Sequence, residues 1–345
     1  MDFTQQYPII DTIQAQLSNL KNLDAPLMVS MDITNQCNLR CVHCFNNSGS
    51  DELYDSELTD EEIIDVTKQI CDLRPTNVCL CGGETTCRKN ILDIIDVLHE
   101  GKVGNISMVS NGMTLTKKKV TELNAHGVTQ IQISLDGVNK YQHDTFRGVA
   151  GSFNNAVNAI KIVKELGLSP VTTSLVPNKL NFKDIYSYVE MCIGLGVEEI
   201  RIMPFIPSGR GKTLGRQLIL SNYEYFKLQN EIVRAQRDFI NEVFVEWGDP
   251  IDHLRRMPTN AFNGLKTYCM EIKSNGDLTA TTYLPVIVGS TRKHSLREYW
   301  DAGYDRLWKN PKILEYTEKI QNIYDFDTFV PAPFSGEKVY IDLIK

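Results

Sequence analysis

Met28-Val-Ser-Met-Asp-Ile-Thr34-Asn-Gln-Cys37-Asn-Leu-Arg-Cys41-Val-His-Cys44-Phe45 sets an extended run directly against three thiols spaced four and three residues apart. Alternating polarity over residues 28–34 reads as a strand, and the thiols then stand on the loop at its carboxyl end. Working outward, the same unit recurs. Extended runs at 77–80, 106–110, 130–135, 171–176 and 199–203 alternate with amphipathic segments at 60–73, 91–99, 117–126, 153–166 and 182–195. That rhythm predicts an α/β fold with a parallel sheet, six βα units long and two short of a closed eight-fold barrel. Ser56 and Thr59 are cap candidates for the 60–73 helix, and most of the helices close on a glycine. Beyond Pro204 the rhythm breaks into a helix over about 221–240, a short strand at 243–247 and a hairpin. The hairpin sets 266–273 against 278–283 around Ser274-Asn-Gly-Asp277. Helices at 295–307 and 311–320 follow.

Seven of the nine cysteines (Cys37, Cys41, Cys44, Cys71, Cys79, Cys81, Cys87) precede residue 90. Clustering of that kind, in a chain whose first residues lack a basic and apolar signal segment, points to metal or redox chemistry and not to disulfide staples. The same features lead one to expect a cytoplasmic protein. No apolar run approaches the ~20 residues a membrane helix needs, so no membrane partner is expected. A net charge of −7 offers no positive field to nucleic acid. Three thiolates on one loop can hold three irons of a [4Fe-4S] cluster and leave the fourth open to a small-molecule chelator. A structural zinc loop is the competing reading. Such sites close with a fourth ligand, which His43 supplies only by straining a loop it shares with two thiols.

With these residues in view the chain resembles the radical S-adenosylmethionine (radical SAM) superfamily. Gly82-Gly83-Glu84 after the second strand is similar to the family's segment against the amino group of the methionine moiety. Ser110-Asn111-Gly112 and Ser134-Leu135-Asp136-Gly137 end the third and fourth strands in the family's register. His143-Asp-Thr-Phe-Arg147-Gly148 resembles the stretch whose arginine meets the methionine carboxylate in members with a C-terminal SPASM or twitch domain, and Asn178 resembles a ribose-contacting asparagine. A loop turn is the competing role for Asn178. The resemblance implies Cys37, Cys41 and Cys44 as cluster ligands. It implies Phe45, Gly82, Gly83, Glu84, Ser110, Asn111, Ser134, Asp136, Arg147 and Asn178 as cofactor contacts. Independently of the family, glycines at 82 and 83 let backbone approach a ligand closely, and Arg147 has the fork geometry that suits a carboxylate. One departure stands out: Thr85-Thr86-Cys87 follows Gly-Gly-Glu where the family usually has proline. Pro204 to Gly211 is like the Pro-x-Gly-Arg segment that closes the barrel in SPASM-bearing members.

The resemblance thus implies a partial (β/α)6 barrel over 26–212, an N-terminal helical extension over 1–25, and a smaller α+β SPASM/twitch-like annex over 213–345. Cys269 with Asn275-Gly276-Asp277 is similar to the annex's first hairpin, but no cysteine follows it. One cluster is therefore expected, and an annex that shapes the substrate pocket. The implied chemistry is reductive cleavage of S-adenosylmethionine to a 5'-deoxyadenosyl radical that abstracts a substrate hydrogen. The implied electron source is a one-electron donor of flavodoxin or ferredoxin type. Modification of a ribosomally made peptide, by epimerisation or cross-linking, is the leading expectation. A small molecule (sugar, nucleoside or tetrapyrrole) is the alternative, and a silent iron–sulfur scaffold a third. About 25 residues before the first strand are too few for a leader-binding domain of roughly 80, so a separate leader-binding protein is expected. Cys269, Cys81 and Cys87 are the candidate hydrogen donors, Cys269 foremost.

Overall fold

The computed structural model describes residues 19–49, 57–329 and 338–344. Its frame is a run of parallel strands, each followed by a connection that carries helix. In chain order they are β1 (Met28–Asp32), β2 (Asn77–Cys81), β3 (Asn105–Ser110), β4 (Gln130–Ser134), β5 (Thr172–Leu175), β6 (Glu199–Ile202) and β7 (Phe244–Trp247). Neighbours pair in that order, so these seven run parallel where six were expected, residues 244–247 extending the run beyond β6. On the other side β8 (Cys269–Ile272) pairs parallel with β1, and β9 (Asp277–Thr279), β10 (Val286–Ser290) and β11 (Val339–Tyr340) complete, among the described residues, one eleven-stranded sheet. β8 and β9 form the expected antiparallel hairpin. Strands from both sides of residue 212 therefore share this sheet, and β7 and β11 are its two ends.

The helices are α1 (Asp60–Leu73), α2 (Ile91–Glu100), α3 (Lys117–His126), α4 (Lys140–Arg147), α5 (Ser152–Glu165), α6 (Ile185–Gly194), α7 (Asn222–Asp238), α8 (Pro250–Phe262), α9 (Leu296–Asp301), α10 (Pro311–Lys319) and α11 (Asp325–Phe329), with a single further turn at Arg210–Thr213 before α7. Thr59 caps α1 through a reciprocal box with Glu62, which fixes its first turn where the sequence puts it. Ser56 and residues 1–18 of the expected N-terminal helix lie outside the described residues, while residues 19–21 are helical. The 295–307 segment divides into α9 and a 3-10 turn at Tyr304–Lys309.

Period-two patterning gives the parallel sheet two unlike faces. Val29, Met31, Val78, Leu80, Ile106, Met108, Ile131, Ile133, Ile200 and Ile202 are buried in one core with helix residues such as Ile63, Ile94, Val120 and Ile160. The alternate positions are mostly polar, among them Ser30, Asp32, Cys79, Cys81, Ser107, Gln130, Gln132, Ser134, Thr172 and Ser174, with Met28 and Val109 as apolar exceptions. Parallel strands covered by helices on both faces read as continuous apolar runs. The polar alternate positions mark this face as the lining of a site.

Candidate functional site

The loop that leaves β1 is folded around its own sulfurs. Leu39 N–H approaches Cys37 Sγ at 3.5 Å and Ser48 N–H approaches Cys44 Sγ at 3.4 Å, while Cys44 N–H donates to Cys41 O at 3.2 Å. Burial pushes the Cys37 thiol up to about 11 and Cys41 to about 12, the latter despite Arg147 nearby. Among the described residues no three His, Cys, Asp or Glu side chains form a cage for a single metal ion. Thiols spread along one loop suit a multi-iron cluster, in which each sulfur takes its own iron. The same loop strands polar atoms out of water. Asn35 Nδ2 and Oδ1, His43 Nδ1, Asn46 Oδ1 and Ser48 Oγ are buried without a hydrogen-bond partner. Unpaired polar atoms packed this densely call for a further occupant at the loop, and the donor set fits an iron–sulfur cluster.

Gly82 and Gly83 do their work against this loop. Gly83 N–H donates to Thr34 O at 2.7 Å and Glu84 N–H to Gln36 O at 2.8 Å. A Cβ at Gly82, whose φ is +132°, would stand 2.2 Å from Thr34 O, and one at Gly83 2.2 Å from Gln36 O. Both positions lie so close to neighbouring backbone that only glycine fits. Glu84 is 1% exposed. Its Oε1 accepts from Thr86 Oγ1 (2.7 Å) and Ser110 Oγ (2.8 Å), and its Oε2 from Asn111 N–H (2.8 Å). Burial raises its pKa, and these donors pull the other way. Ser110 and Asn111, expected as cofactor contacts, spend these donors on Glu84, and Asn111 Nδ2 reaches the cysteine loop at Asn38 Oδ1 (2.7 Å).

Asp136 and Arg147 are brought together as a buried pair, Nε to Oδ2 at 2.5 Å. Burial would lift the Asp136 carboxyl, but Arg147, His43 and His143 hold it below the usual range. Arg147 also lies 3.9 Å from Cys41 Sγ, and Val42 N–H donates to Phe146 O, so α4 grips the cysteine loop. His43 stacks on Phe146 with centroids 3.9 Å apart, and burial drops its pKa to about 3. Phe45 lies in the same loop, where its carbonyl meets the Gly209 turn, and Ser134 ends β4 on the polar face. Asn178 makes loop-turn hydrogen bonds. Its Oδ1 accepts from Leu180 N–H (2.8 Å) and its Nδ2 donates to Val176 O (3.1 Å), in a side chain with no exposed surface.

The three candidate hydrogen donors separate. Cys81 and Cys269 project from β2 and β8 onto the polar face, whereas Cys87 sits on the 3-10 turn Thr85–Cys87, near enough to Cys37 for its charge to be felt there. Cys79 was counted among the clustered cysteines but not among the candidate donors. Its Sγ is 3.5 Å from that of Cys81. The signal was present, since cysteines two apart in a strand share a face. Register places Asp32 beside Cys81 and Ser30 beside both Cys79 and Glu271. Lys273 Nζ pairs with Asp32 Oδ2 at 3.2 Å. Also missed were Glu57, which accepts from Thr34 Oγ1 (3.0 Å) and Asn35 N–H, and Arg88, which binds Leu58 O (3.0 Å) and Asp60 (2.7 Å) behind it.

Residues 31–192 match the family model described as the radical SAM superfamily. The AdoMet-dependent heme synthase of Methanosarcina barkeri is 26% identical over 312 residues, which cover 85% of this chain and 87% of that protein. The mycofactocin maturase MftC of Mycobacterium tuberculosis is 27% identical over 311 residues, 88% of this chain and 75% of that one. Among solved structures, Streptococcus suis SuiB bound to precursor peptide SuiA is similar at a TM-score of 0.63 and 17% identity, covering 87% of this chain and 68% of that chain. At that identity the likeness is one of fold.

Proposed function

Because this chain belongs to the radical SAM superfamily, whose enzymes use a [4Fe-4S] cluster and S-adenosylmethionine, we propose that it modifies a peptide by abstracting a hydrogen atom from it. When bound and reduced, those cofactors supply a 5'-deoxyadenosyl radical. The observation that carries the reading is the placement of three thiols on one gripped loop at the carboxyl end of β1, beside a polar sheet face. Cys37, Cys41 and Cys44 hold the cluster. Glu84 has one acceptor lone pair of Oε2 left for an ammonium, and Arg147 retains guanidinium N–H groups for a carboxylate.

The similarity to a maturase over most of the chain, and to a fold solved with a precursor peptide, supports a peptide substrate. The heme synthase similarity favours a second reading, a tetrapyrrole or other small molecule. The C-terminal region acts as a SPASM/twitch-like annex without a cluster of its own, its single cysteine being Cys269. The protein works in the cytoplasm with a flavodoxin- or ferredoxin-type donor and a separate leader-binding protein.

Cys269, on the same polar face as Cys81 but level with Met28 at the start of β1, returns hydrogen to the substrate radical, giving epimerisation. A thiol S–H adds its hydrogen to carbon and leaves a thiyl radical, which the one-electron donor and a proton restore. In deuterated water the wild type is expected to place solvent deuterium at the altered carbon of its precursor-peptide substrate, and Cys269→Ala to lose that label. Unlabelled wild-type product overturns the donor assignment. A peptide left unaltered while a tetrapyrrole is consumed overturns the peptide reading.

A further inference from the structure

We propose that Arg210 is a positioning residue for the iron-binding loop, holding Cys41 and Cys44 in their ligating arrangement from the far end of the sheet. The inference rests on the ligand assignment above and gives the arginine of the segment that resembles the barrel-closing Pro-x-Gly-Arg a contact role of its own, on the cysteine loop.

Residues 204–211 leave β6 and return across the sheet end to the cysteine loop. Arg210 Nε donates to Cys41 O at 3.0 Å, and its Nη1 donates to Ser48 O at 2.8 Å and to Asn47 Oδ1 at 3.1 Å. Its main-chain N–H donates to Cys44 O at 3.0 Å. One residue thereby ties together the carbonyls of two thiol-bearing residues and the end of the loop that follows them. A guanidinium presents its donors in a fixed planar fork, so these contacts fix relative positions and not merely charge. The residue before it is fitted to the same contact. Gly209 has φ +55°, and a Cβ there would lie 2.4 Å from both Cys44 O and Phe45 O.

The clamp is anchored in turn. Arg216 pairs with Asp327 of α11 at 3.2 Å, and Lys212 Nζ donates to the Asp327 carbonyl. The loop is thus gripped by α4 through Phe146 O on one side and by a segment tied to the C-terminal region on the other. Groups that orient metal ligands without touching the metal commonly alter metal retention about 10- to 100-fold when removed.

The test is iron retention. Wild type, Arg210→Ala, Arg210→Lys and Gly209→Ala are reconstituted anaerobically with iron and sulfide, and iron loss to a ferrous chelator is followed by absorbance. Electron paramagnetic resonance (EPR) spectra of the reduced clusters are recorded with and without S-adenosylmethionine. Arg210→Ala is expected to lose iron at least about tenfold faster. Arg210→Lys is expected to follow it closely, because a point charge does not reproduce the fork, and to show an altered EPR spectrum. Gly209→Ala, in which Arg210 is intact but displaced, should fall between. Circular dichroism of the iron-free proteins separates loss of the clamp from loss of the fold, and Arg210→Lys, the milder change, carries the test if Arg210→Ala does not fold. Wild-type iron retention and an unchanged spectrum in Arg210→Lys and Gly209→Ala overturn the proposal. If wild type itself takes up no iron, the ligand assignment has failed instead.

Discussion

Asp136 has no exposed side-chain surface and serves three groups. Its Oδ2 takes Arg147 Nε, its Oδ1 takes Val176 N–H at 2.8 Å, and its carbonyl accepts from Asn181 Nδ2 at 3.0 Å. A motif residue expected to touch a cofactor thus also ties β4, α4 and the β5–α6 connection together. Asp136→Asn leaves the Arg147 charge buried without its partner, and we expect a loss of about 3 kcal/mol in urea unfolding of the iron-free protein. Adding Arg147→Met should cost less than the sum of the single changes, because the second removes the charge the first stranded. Additive effects would mean the pair is not coupled. Residue types were legible here in the sequence, but partners were not. Gly-Gly-Glu and the arginine were found from the pattern, whereas the pairing of Arg147 with Asp136 across α4 depends on tertiary placement.

At the scale of elements, local chemistry decided what was readable. The α1 bounds follow from the Thr59–Glu62 box and the α3 bounds from the Thr116 cap, with Gly127 closing α3. Helix α4, Lys-Tyr-Gln-His-Asp-Thr-Phe-Arg, escaped because its mean hydropathy is low and its only buried side chains are Gln142, His143 and Phe146. Helix α8 escaped because prolines at 250 and 258 argue against it; Pro250 opens the helix, and burial of Leu254, Met257 and Ala261 carries it past Pro258. That helix holds His253 edge-on to Tyr283 and Trp308 at 5.6 and 5.5 Å. Burial, then Arg256, lowers its pKa from 6.5 to about 4. The folded state refuses a proton that the unfolded chain accepts below pH 6.5. Stability from this group is full above that pH and declines as pH falls toward 4, by about 1.4 kcal/mol per unit. His143, lowered to about 4 by burial and Arg147, declines over the same window. His253→Phe should therefore flatten the fall in urea midpoint between pH 6.5 and 4.5. Comparing the two proteins isolates His253 from Glu84 and Glu271, whose raised values tilt the other way. An unchanged slope would contradict the buried neutral imidazole.

Across the whole molecule, the order β1 to β6 was readable because each strand pairs with its neighbour in sequence. The pairing of β8 with β1, which aligns Met28 with Cys269, was not, since no local pattern encodes a contact between residues so far apart in the chain. That pairing brings Cys269, Glu271 and Lys273 onto the same polar face as Ser30, Asp32 and Cys81, and so joins the C-terminal region to the site. The proposed chemistry puts S-adenosylmethionine cleavage at one cluster held by Cys37, Cys41 and Cys44. The most direct measurement is anaerobic: iron content and 5'-deoxyadenosine formation in dithionite-reduced, reconstituted protein, beside a variant with all three cysteines changed to alanine. About four irons per chain, 5'-deoxyadenosine and methionine in equal amounts, and neither iron nor cleavage in the variant are expected. A variant that retains iron and cleaves S-adenosylmethionine, or about eight irons per wild-type chain, would contradict that chemistry.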